Sequence, residues 1–313
     1  MKNIKVVFMG TPEFSVPVLE GLIENYNVIG VVTQPDKEVG RHKEIEFSPI
    51  KKVALANNIQ VLQPVKIKEE YEEIVKLNPD IIVTCAYGQI IPKILLDLPK
   101  YKCINVHASL LPALRGGAPI HRAIINGHSK TGITIMYMDA KMDSGDIIRQ
   151  KEVEIDSDMN VGVLHDKLSL LGRELLLETL PDIISGNISP IKQDESQVTF
   201  AKIIKREDEL LDFNENTIDV YNKIRGLNPF PGAYTILDGK IVKIYKARIE
   251  KNLTRALPGE IVNLYKDGFA VKTFDGEIVI QELKIEGKKK MDAVSFMKGI
   301  GKENLLGKRM TKE

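Results

Sequence analysis

The chain lacks the sequence features that several classes of protein require. Its 313 residues include only two cysteines, Cys85 and Cys103, and each lies in an apolar run, which predicts buried, reduced thiols. No Cys and His residues have the spacing of metal ligands, so we expect no metal. No apolar run approaches the ~20 residues of a membrane span. The N-terminal apolar run is too short for a signal peptide, so we expect a cytoplasmic protein that binds no membrane.

An excess of charge is also absent. The net charge is +1, with 43% hydrophobic and 28% charged residues, which is typical of a globular protein of one or two domains. Residues 201–313 hold 22 Lys and Arg against 17 Asp and Glu, a net of +5. This asymmetry permits a polyanionic partner for the C-terminal part, but on charge alone an ordinary solvated surface is the favoured explanation.

Short apolar runs alternate with helix-like segments through the first two thirds of the chain. Thr11-Pro12 and Ser48-Pro49 are each predicted to begin a helix, as an N-cap followed by proline at the first helical position. Strands that alternate with helices favour parallel pairing, so we expect an α/β fold with a doubly wound, Rossmann-like, mostly parallel sheet. The predicted strands are Ile4–Met9, Val28–Val32, Asp80–Thr84, Cys103–Val106 and Gly132–Tyr137.

The pattern changes after a long predicted helix, Val161–Ile184. One further helix, Asn216–Arg225, precedes short strands that are separated by turns such as Asp238-Gly239. We therefore predict a catalytic α/β domain at residues 1–204 and a smaller C-terminal β-barrel domain, OB-like, at residues 205–313. The predicted strands are Ala233–Leu237, Lys240–Ile249, Gly259–Leu264, Phe269–Thr273 and Glu277–Leu283.

The first strand-to-helix turn does not have the glycines of a nucleotide-binding loop. Gly10-Thr11-Pro12-Glu13 matches neither the dinucleotide fingerprint nor a Walker loop, which argues against a dinucleotide oxidoreductase or an ATP site. The next loop, Thr33–Ser48, is long for such a connection. It mixes basic and acidic residues, so the loop by itself is best explained as an ordinary surface loop.

Polar side chains lie where the fourth predicted strand ends. Asn105 and His107 are two residues apart, so in an extended strand their side chains share a face. A lone histidine in such a place is often structural. However, the loop Met138–Asp146 offers three carboxylates, and one of them could pair with His107. No Ser or Cys is arranged as a nucleophile, so the set suits transfer of an acyl-type group to an external amine.

These residues carry a resemblance to the folate-dependent formyltransferases. The separation of 38 residues between Asn105 and Asp143 matches the catalytic spacing of that family. The family resemblance also includes SLLP at 109–112, RGGAPI at 115–120 and DSGD at 143–146. Further blocks, together with RGGAPI, resemble the branch of the family that acts on tRNA, and the similarity runs nearly end to end. These blocks are FMGTPEFSVPVLEGL at 8–22, TQPDKEVGR at 33–41 and IRGLNPFPGAYT at 224–235.

The resemblance implies roles for particular residues. Asn105 and His107 would contact the formyl oxygen of 10-formyltetrahydrofolate, which acts as a co-substrate, and Asp143 would pair with His107 and help to move protons. The folate would lie along the segments 82–89 and 138–143. The residues implied at the folate site are Ser109, Leu110, Leu111, Pro112, Tyr87, Gly88 and Gln89.

The resemblance also implies that the acceptor is the α-amino group of methionyl-initiator tRNA. Phe14 would contact the methionyl side chain, Arg41 would reach the acceptor end of the tRNA, and the C-terminal domain would present Lys and Arg to the tRNA backbone. We expect a monomer. Two other functions stay open: a formyltransferase for a small amine, which would need neither the long loop nor the β domain, and a binding module without catalysis.

Overall fold

The computed structural model describes residues 2–39, 44–301 and 304–312. The chain forms two compact units. The first comprises Met1–Pro119, Lys130–Glu154 and His165–Ala201, and the second comprises Ile120–Ser129, Ile155–Leu164 and Lys202–Glu313. The predicted domains, 1–204 and 205–313, have one boundary, which lies close to the start of the last stretch of the second unit at Lys202. The second unit also takes in two earlier stretches that this prediction did not separate.

The first unit is built on one sheet of seven strands. Its apolar runs form the strands, and the central ones are buried because helices cover both faces of such a sheet. The strands are β1 (Lys5–Gly10), β2 (Asn27–Val32), β5 (Val61–Leu62), β6 (Ile81–Cys85), β7 (Cys103–His107), β8 (Lys130–Tyr137) and β9 (Ile147–Glu154). Their order in the sheet is β5-β2-β1-β6-β7-β8-β9. Two further strands, β3 (Lys37–Val39) and β4 (Glu44–Glu46), form a separate two-stranded sheet.

The five strands β5, β2, β1, β6 and β7 pair in parallel, so the predicted mostly parallel sheet is confirmed. Parallel pairing of the fifth predicted strand is wrong, because β8 runs antiparallel to β7 and places Tyr137 opposite Ile104. β9, which was not predicted, is antiparallel to β8. The end of β8 therefore lies beside the first half of β7, away from His107.

The helices are α1 (Val16–Asn25), α2 (Pro49–Ala56), α3 (Glu72–Leu77), α4 (Lys93–Leu96), α5 (Pro119–Ile125), α6 (Val161–Ser185), α7 (Thr217–Gly226) and α8 (Ala293–Ile300), with short 3-10 turns at Glu13–Ser15, Glu195–Gln197 and Arg206–Glu209.

Ser48 caps α2 as predicted, since its hydroxyl accepts from the Lys51 amide over 3.1 Å. The cap predicted at Thr11 is wrong. A 3-10 turn follows Pro12, α1 begins at Val16, and the Thr11 hydroxyl instead donates to the Tyr87 carbonyl.

The second unit holds an antiparallel sheet of six strands in the order β10-β11-β14-β13-β12, with β15 paired to β14. The C-terminal segment bridges both edges of this sheet: Thr311 pairs with Ile236 of the first edge strand, and Arg309 pairs with Glu260 beside the other edge. This bridging joins the two edges, as closure of a small barrel requires. The strands are β10 (Ala233–Leu237), β11 (Lys240–Glu250), β12 (Ile261–Leu264), β13 (Phe269–Lys272), β14 (Glu277–Ile285) and β15 (Met291–Asp292).

Each unit has its own apolar core. In the first, residues of β1, β6 and the segments around them, including Met9, Ile82 and Tyr87, form a buried cluster. In the second, Phe269 and Phe296 pack with their ring centroids 5.6 Å apart among residues of β10 to β14 and α7. Cys85 and Cys103 are buried free thiols. None of the described helices is long and apolar enough to cross a membrane.

Candidate active site

Asn105 and His107 lie at the carboxyl end of β7, and the pleat of the strand turns both side chains to one face. The carboxyl ends of parallel strands form the crevice in which doubly wound folds bind ligands. The hydroxyl of Thr84, which pairs with Asn105 across the sheet, donates to Asn105 Oδ1 over 2.8 Å. Because this contact occupies the amide oxygen, the NH2 of Asn105 is the end that is available to donate to a substrate.

The imidazole of His107 is held in one orientation. Only 6% of the residue is exposed, and its Nε2 lies 3.1 Å from the carbonyl oxygen of Leu114. A carbonyl cannot donate, so Nε2 must carry the proton in this contact. The other ring nitrogen, Nδ1, lies 3.8 Å from Asp143 Oδ1, which is an ion-pair distance but too long for a direct hydrogen bond.

Asp143 approaches the histidine although its loop leaves β8 from the other end of the pairing. The loop Met138–Asp146 returns toward His107, and the backbone of Asp143 takes the left-handed conformation, at φ 50°. The amide of Gly116 donates to Asp143 Oδ2 over 2.8 Å. With neutral imidazole, Nδ1 and the carboxylate are both acceptors. A proton between them would turn a repulsive contact into an attractive one, so this pair is suited to hold and release one proton.

The glycine-rich segment after β7 supplies partners for both groups. Leu114 has φ 59°, a conformation that costs a non-glycine residue about 1–2 kcal/mol. Gly116 has φ 119°, and a Cβ there would lie 2.8 Å from the Ala201 carbonyl oxygen, so glycine is required. Hydrogen bonds to the chain at 199–201 hold this backbone in place, among them Leu114 N–H to Thr199 Oγ1 at 2.9 Å.

The segment Ser109–Pro112, predicted at the folate site, follows His107 directly. Its backbone is held from within and from β8. The Ser109 hydroxyl donates to the Ala113 carbonyl over 2.6 Å, and Thr134 both donates to the Ser109 carbonyl and accepts from the Leu111 amide. Ser109 and Leu111 are buried, whereas Leu110 and Pro112 are half-buried. The two buried members therefore support this segment, and Leu110 and Pro112 form its more accessible part.

The other predicted folate segment, Tyr87-Gly88-Gln89, follows β6 and has mixed exposure. Tyr87 is buried, and its burial raises the pKa of the phenol. The Gln89 side chain is engaged by the protein, because its oxygen accepts from the Ile67 amide over 2.9 Å and its NH2 lies near the Pro64 carbonyl. Gly88 is exposed, with φ 93°. In this segment the backbone at Gly88 is thus the part most open to a ligand.

Of the two residues predicted to meet the acceptor, Phe14 lies in the described part of the chain and Arg41 does not. Phe14 is buried in the 3-10 turn that precedes α1, and its ring packs edge-on against His165 with 5.4 Å between centroids. Its carbonyl accepts from the Ser169 hydroxyl over 2.7 Å. Arg41 lies outside the described residues, so its predicted role stays a prediction.

Sequence reasoning assigned no role to several side chains that the structure brings to the site. Arg115 is buried and forms an ion pair of 2.8 Å with Glu195. Gln193 contacts the Asp143 loop. Gln193 and Glu195 lie in a polar stretch after α6 that carries no recognisable motif, so no pattern could have selected them. Among the described residues, no three His, Cys, Asp or Glu side chains are grouped as metal ligands.

Comparison with known proteins defines the class. The formyl transferase family model matches residues 2–180, and the model of the formyl transferase C-terminal domain matches residues 203–301. The chain belongs to the formyl transferase family, which confirms the resemblance seen in its sequence. Among its curated relatives are the methionyl-tRNA formyltransferases of Bacillus subtilis (strain 168), 54% identical over 299 residues that cover 94% of each chain, and of Geobacillus sp. (strain WCH70), 52% identical over 314 residues that cover 99% of each.

Solved structures of lower identity share the fold. The sugar 3N-formyl transferase WlaRD, crystallised in the presence of dTDP and 5-N-formyl-THF, has a TM-score of 0.67 at 20% identity over 91% of this chain and 99% of its own. The methionyl-tRNA formyltransferase from Clostridium thermocellum has a TM-score of 0.55 at 18% identity over 79% of this chain and 94% of its own. At these identities the likeness supports the architecture alone.

Proposed function

We propose that the chain transfers the formyl group of 10-formyltetrahydrofolate to the α-amino group of methionyl-initiator tRNA, giving N-formylmethionyl-tRNA for translation initiation. The observation that carries this proposal is the match to methionyl-tRNA formyltransferases over nearly the whole chain at 52–54% identity. The fold by itself would not distinguish tRNA from a small amine as acceptor, because a sugar formyltransferase shares it.

Asn105 would act on the oxygen of the formyl group. When the neutral amine attacks the formyl carbon, a new C–N bond forms and the carbonyl oxygen becomes anionic. Departure of N10 of the folate then restores the carbonyl. The NH2 of Asn105 is free to donate because Thr84 occupies its amide oxygen. A fixed donor that meets charge as it develops lowers the barrier more than one that must reorient.

His107 and Asp143 would accept and return the proton that the reaction moves. The attacking amine must lose a proton and N10 must gain one, so the net reaction needs a group that holds a proton in between. The Nε2 proton of His107 is engaged by Leu114, which leaves Nδ1, 3.8 Å from Asp143 Oδ1, as the ring atom for this task. A proton on Nδ1 would also supply a second donor to the anionic oxygen, and Asp143 would stabilise the charged ring.

The folate would lie beside the segments Ser109–Pro112 and Tyr87–Gln89. Their backbones are held by internal hydrogen bonds, such as those from Thr134 and Thr11, so they can present amide and carbonyl groups to a flat ligand without rearrangement. Among proteins with this fold, a HypX structure from Aquifex aeolicus was solved in complex with tetrahydrofolic acid, with a TM-score of 0.62 at 18% identity over 96% of this chain and 47% of its own.

The tRNA would be bound by the loop that contains Arg41 and by the second unit, and Phe14 would contact the methionyl side chain. The second unit offers exposed lysines at the turn that connects β14 and β15, namely Lys288, Lys289 and Lys290, and a further one, Lys284, near the end of β14. Lysines on an exposed turn can follow a phosphate backbone without base contacts. We propose that the protein acts as a monomer in the cytoplasm.

A transfer assay with labelled 10-formyltetrahydrofolate tests the proposal. The acceptors are methionyl-initiator tRNA, the same tRNA uncharged, methionine, and a panel of small amines that includes amino sugars. We expect label only in the charged tRNA. Transfer to a small amine at a comparable kcat/KM would favour the small-amine enzyme. Binding of folate without transfer to any acceptor would favour a binding module.

A further inference from the structure

The conformation of the Asp143 turn is not one that the turn would hold unaided. Asp143 has φ 50°, in the left-handed region. Gly145, two residues later, is packed so closely that a Cβ there would overlap the Tyr137 carbonyl oxygen. A strained turn keeps one geometry only where the surrounding protein determines it, and the contacts of this turn therefore identify what positions the carboxylate.

One side chain clamps both ends of this turn. The NH2 of Gln193 donates to the main-chain carbonyl of Asp143 over 2.8 Å and to that of Gly145 over 2.8 Å. The two N–H groups of a single planar amide thus fix two carbonyls on either side of Ser144. Together with the Gly116 amide, which donates to Asp143 Oδ2, this clamp leaves the carboxylate little freedom to turn away from His107.

The orientation of the Gln193 amide is itself fixed. Its oxygen accepts from Arg115 Nε over 3.0 Å and from Arg115 Nη2 over 2.8 Å, so the NH2 must face the Asp143 turn. Arg115 is buried, and its Nη2 also donates to Glu195 Oε1 over 2.8 Å. A guanidinium presents its donors in a rigid fork, so Arg115 aligns Gln193 more strictly than a single donor would.

We propose that Gln193 is a positioning residue for formyl transfer, acting through Asp143. Gln193 holds the turn in the conformation that places the carboxylate opposite Nδ1 of His107. Arg115 and Glu195 serve by aligning Gln193, and none of these three needs to touch either substrate. The inference rests on the proposed function and deepens it, since it names what supports the group that would exchange protons with His107.

Steady-state kinetics of two variants test this role. Gln193→Ala removes both donors and the acceptor, whereas Gln193→Glu keeps an acceptor for Arg115 and removes the donors to the turn. We expect kcat to fall about tenfold in both, as for the loss of one or two buried hydrogen bonds. The KM values for folate and for charged tRNA should stay within about twofold. Gln197→Ala, an exposed glutamine of the same segment, is the matched control and should leave kcat unchanged.

A double-mutant cycle separates positioning from general damage. In the Asp143→Asn background, Gln193→Ala should cause no further loss of kcat, because residues that act as one unit are not additive. A full additional loss in that background would overturn the inference. Normal kcat in both folded Gln193 variants, or a raised KM with unchanged kcat, would overturn it as well. Should Gln193→Ala not fold, Gln193→Glu decides by the same criteria.

Hydrogen exchange of the Gly116 amide gives a measurement that does not depend on activity. This amide donates to Asp143, so a loosened turn should speed its exchange in the Gln193 variants but not in Gln197→Ala. Faster exchange in the Gln193 variants, combined with an unmutated protein that transfers no formyl group, would support the clamp and reject the proposed function. Unchanged exchange would reject the clamp.

Discussion

His107 has one ring nitrogen engaged by the protein and one that faces Asp143. The contact from Nε2 to the Leu114 carbonyl fixes both the orientation and the tautomer of the ring, and Leu114 takes a left-handed backbone conformation in the segment that makes this contact. The ring is therefore held with Nδ1 facing the carboxylate of Asp143, 3.8 Å from its Oδ1.

Replacement of the ring tests this role. We expect His107→Ala to lower kcat for formyl transfer by about two orders of magnitude, as for the loss of a main partner of a developing oxyanion. The measurement is single-turnover transfer to charged tRNA, with circular dichroism to verify the fold. A folded variant with near-normal rates would exclude His107 from the chemistry.

The two thiols illustrate how burial controls reactivity. Desolvation raises the pKa of Cys85 to about 12 and also raises the pKa of Cys103. Both thiols should therefore react slowly with a thiol reagent in the native protein at about pH 8, and both should be labelled fully after denaturation. Because the folded state favours the protonated thiols, they should stabilise the fold below their ordinary pKa of about 8.5 and lose that contribution as the pH rises beyond it. Rapid labelling of the native protein would contradict this account.

At the scale of elements, β8 shows that an apolar run predicts a buried strand but does not determine the direction in which the strand pairs. Its run Gly132–Tyr137 has the same appearance whether the strand is parallel or antiparallel, because both faces are buried in either case. The strand was therefore predicted correctly, but its predicted parallel direction was wrong. The active-site loop that follows β8 consequently begins far from His107. Only tertiary contacts, such as Gly116 to Asp143, bring it back, and no local pattern records such contacts.

The turn between β14 and β15 permits a test of tRNA binding by the second unit. Lys288→Ala with Lys289→Ala removes two exposed charges at this turn. We expect a higher KM for tRNA and a salt dependence of binding that is shallower by about one to two units of slope, with the KM for folate unchanged. Lys66→Ala, an exposed lysine of the first unit, is a matched control. Equal effects of both changes would argue against a specific role for this turn.

At the scale of the whole molecule, the order of units and most strands could be predicted, since each apolar run has to be buried. Val161–Ile184, for example, was placed within one residue of α6. The motif selects Asn105, His107 and Asp143 as candidate catalytic residues, and the structure brings His107 and Asp143 to 3.8 Å from each other, while the catalytic roles of all three stay predictions. Their supports were not predictable: Gln193 lies 50 residues from Asp143 in the chain, and its position there is a product of folding.

The pH dependence of global stability should reflect Asp267 of the second unit. The hydrogen bond from Arg248 lowers the pKa of this carboxyl to about 2. A lowered pKa stabilises the fold above the unfolded value of about 3.9, and the contribution is lost as the pH falls from there toward about 2. Urea unfolding at a series of pH values should show a shallower acid decline in Asp267→Asn. The effect should be small, because both side chains are a third or more exposed. An identical decline in both proteins would contradict the assignment.

The most direct test of the central claim is a cycle of single-turnover rates for His107→Ala, Asp143→Asn and the double variant, measured with formyl donor and charged initiator tRNA. If the imidazole and the carboxylate handle one proton together, the double variant should be about as slow as the slower single variant. A double variant slowed by the product of the two single effects would show that the groups act independently, and the account of this site would then be wrong.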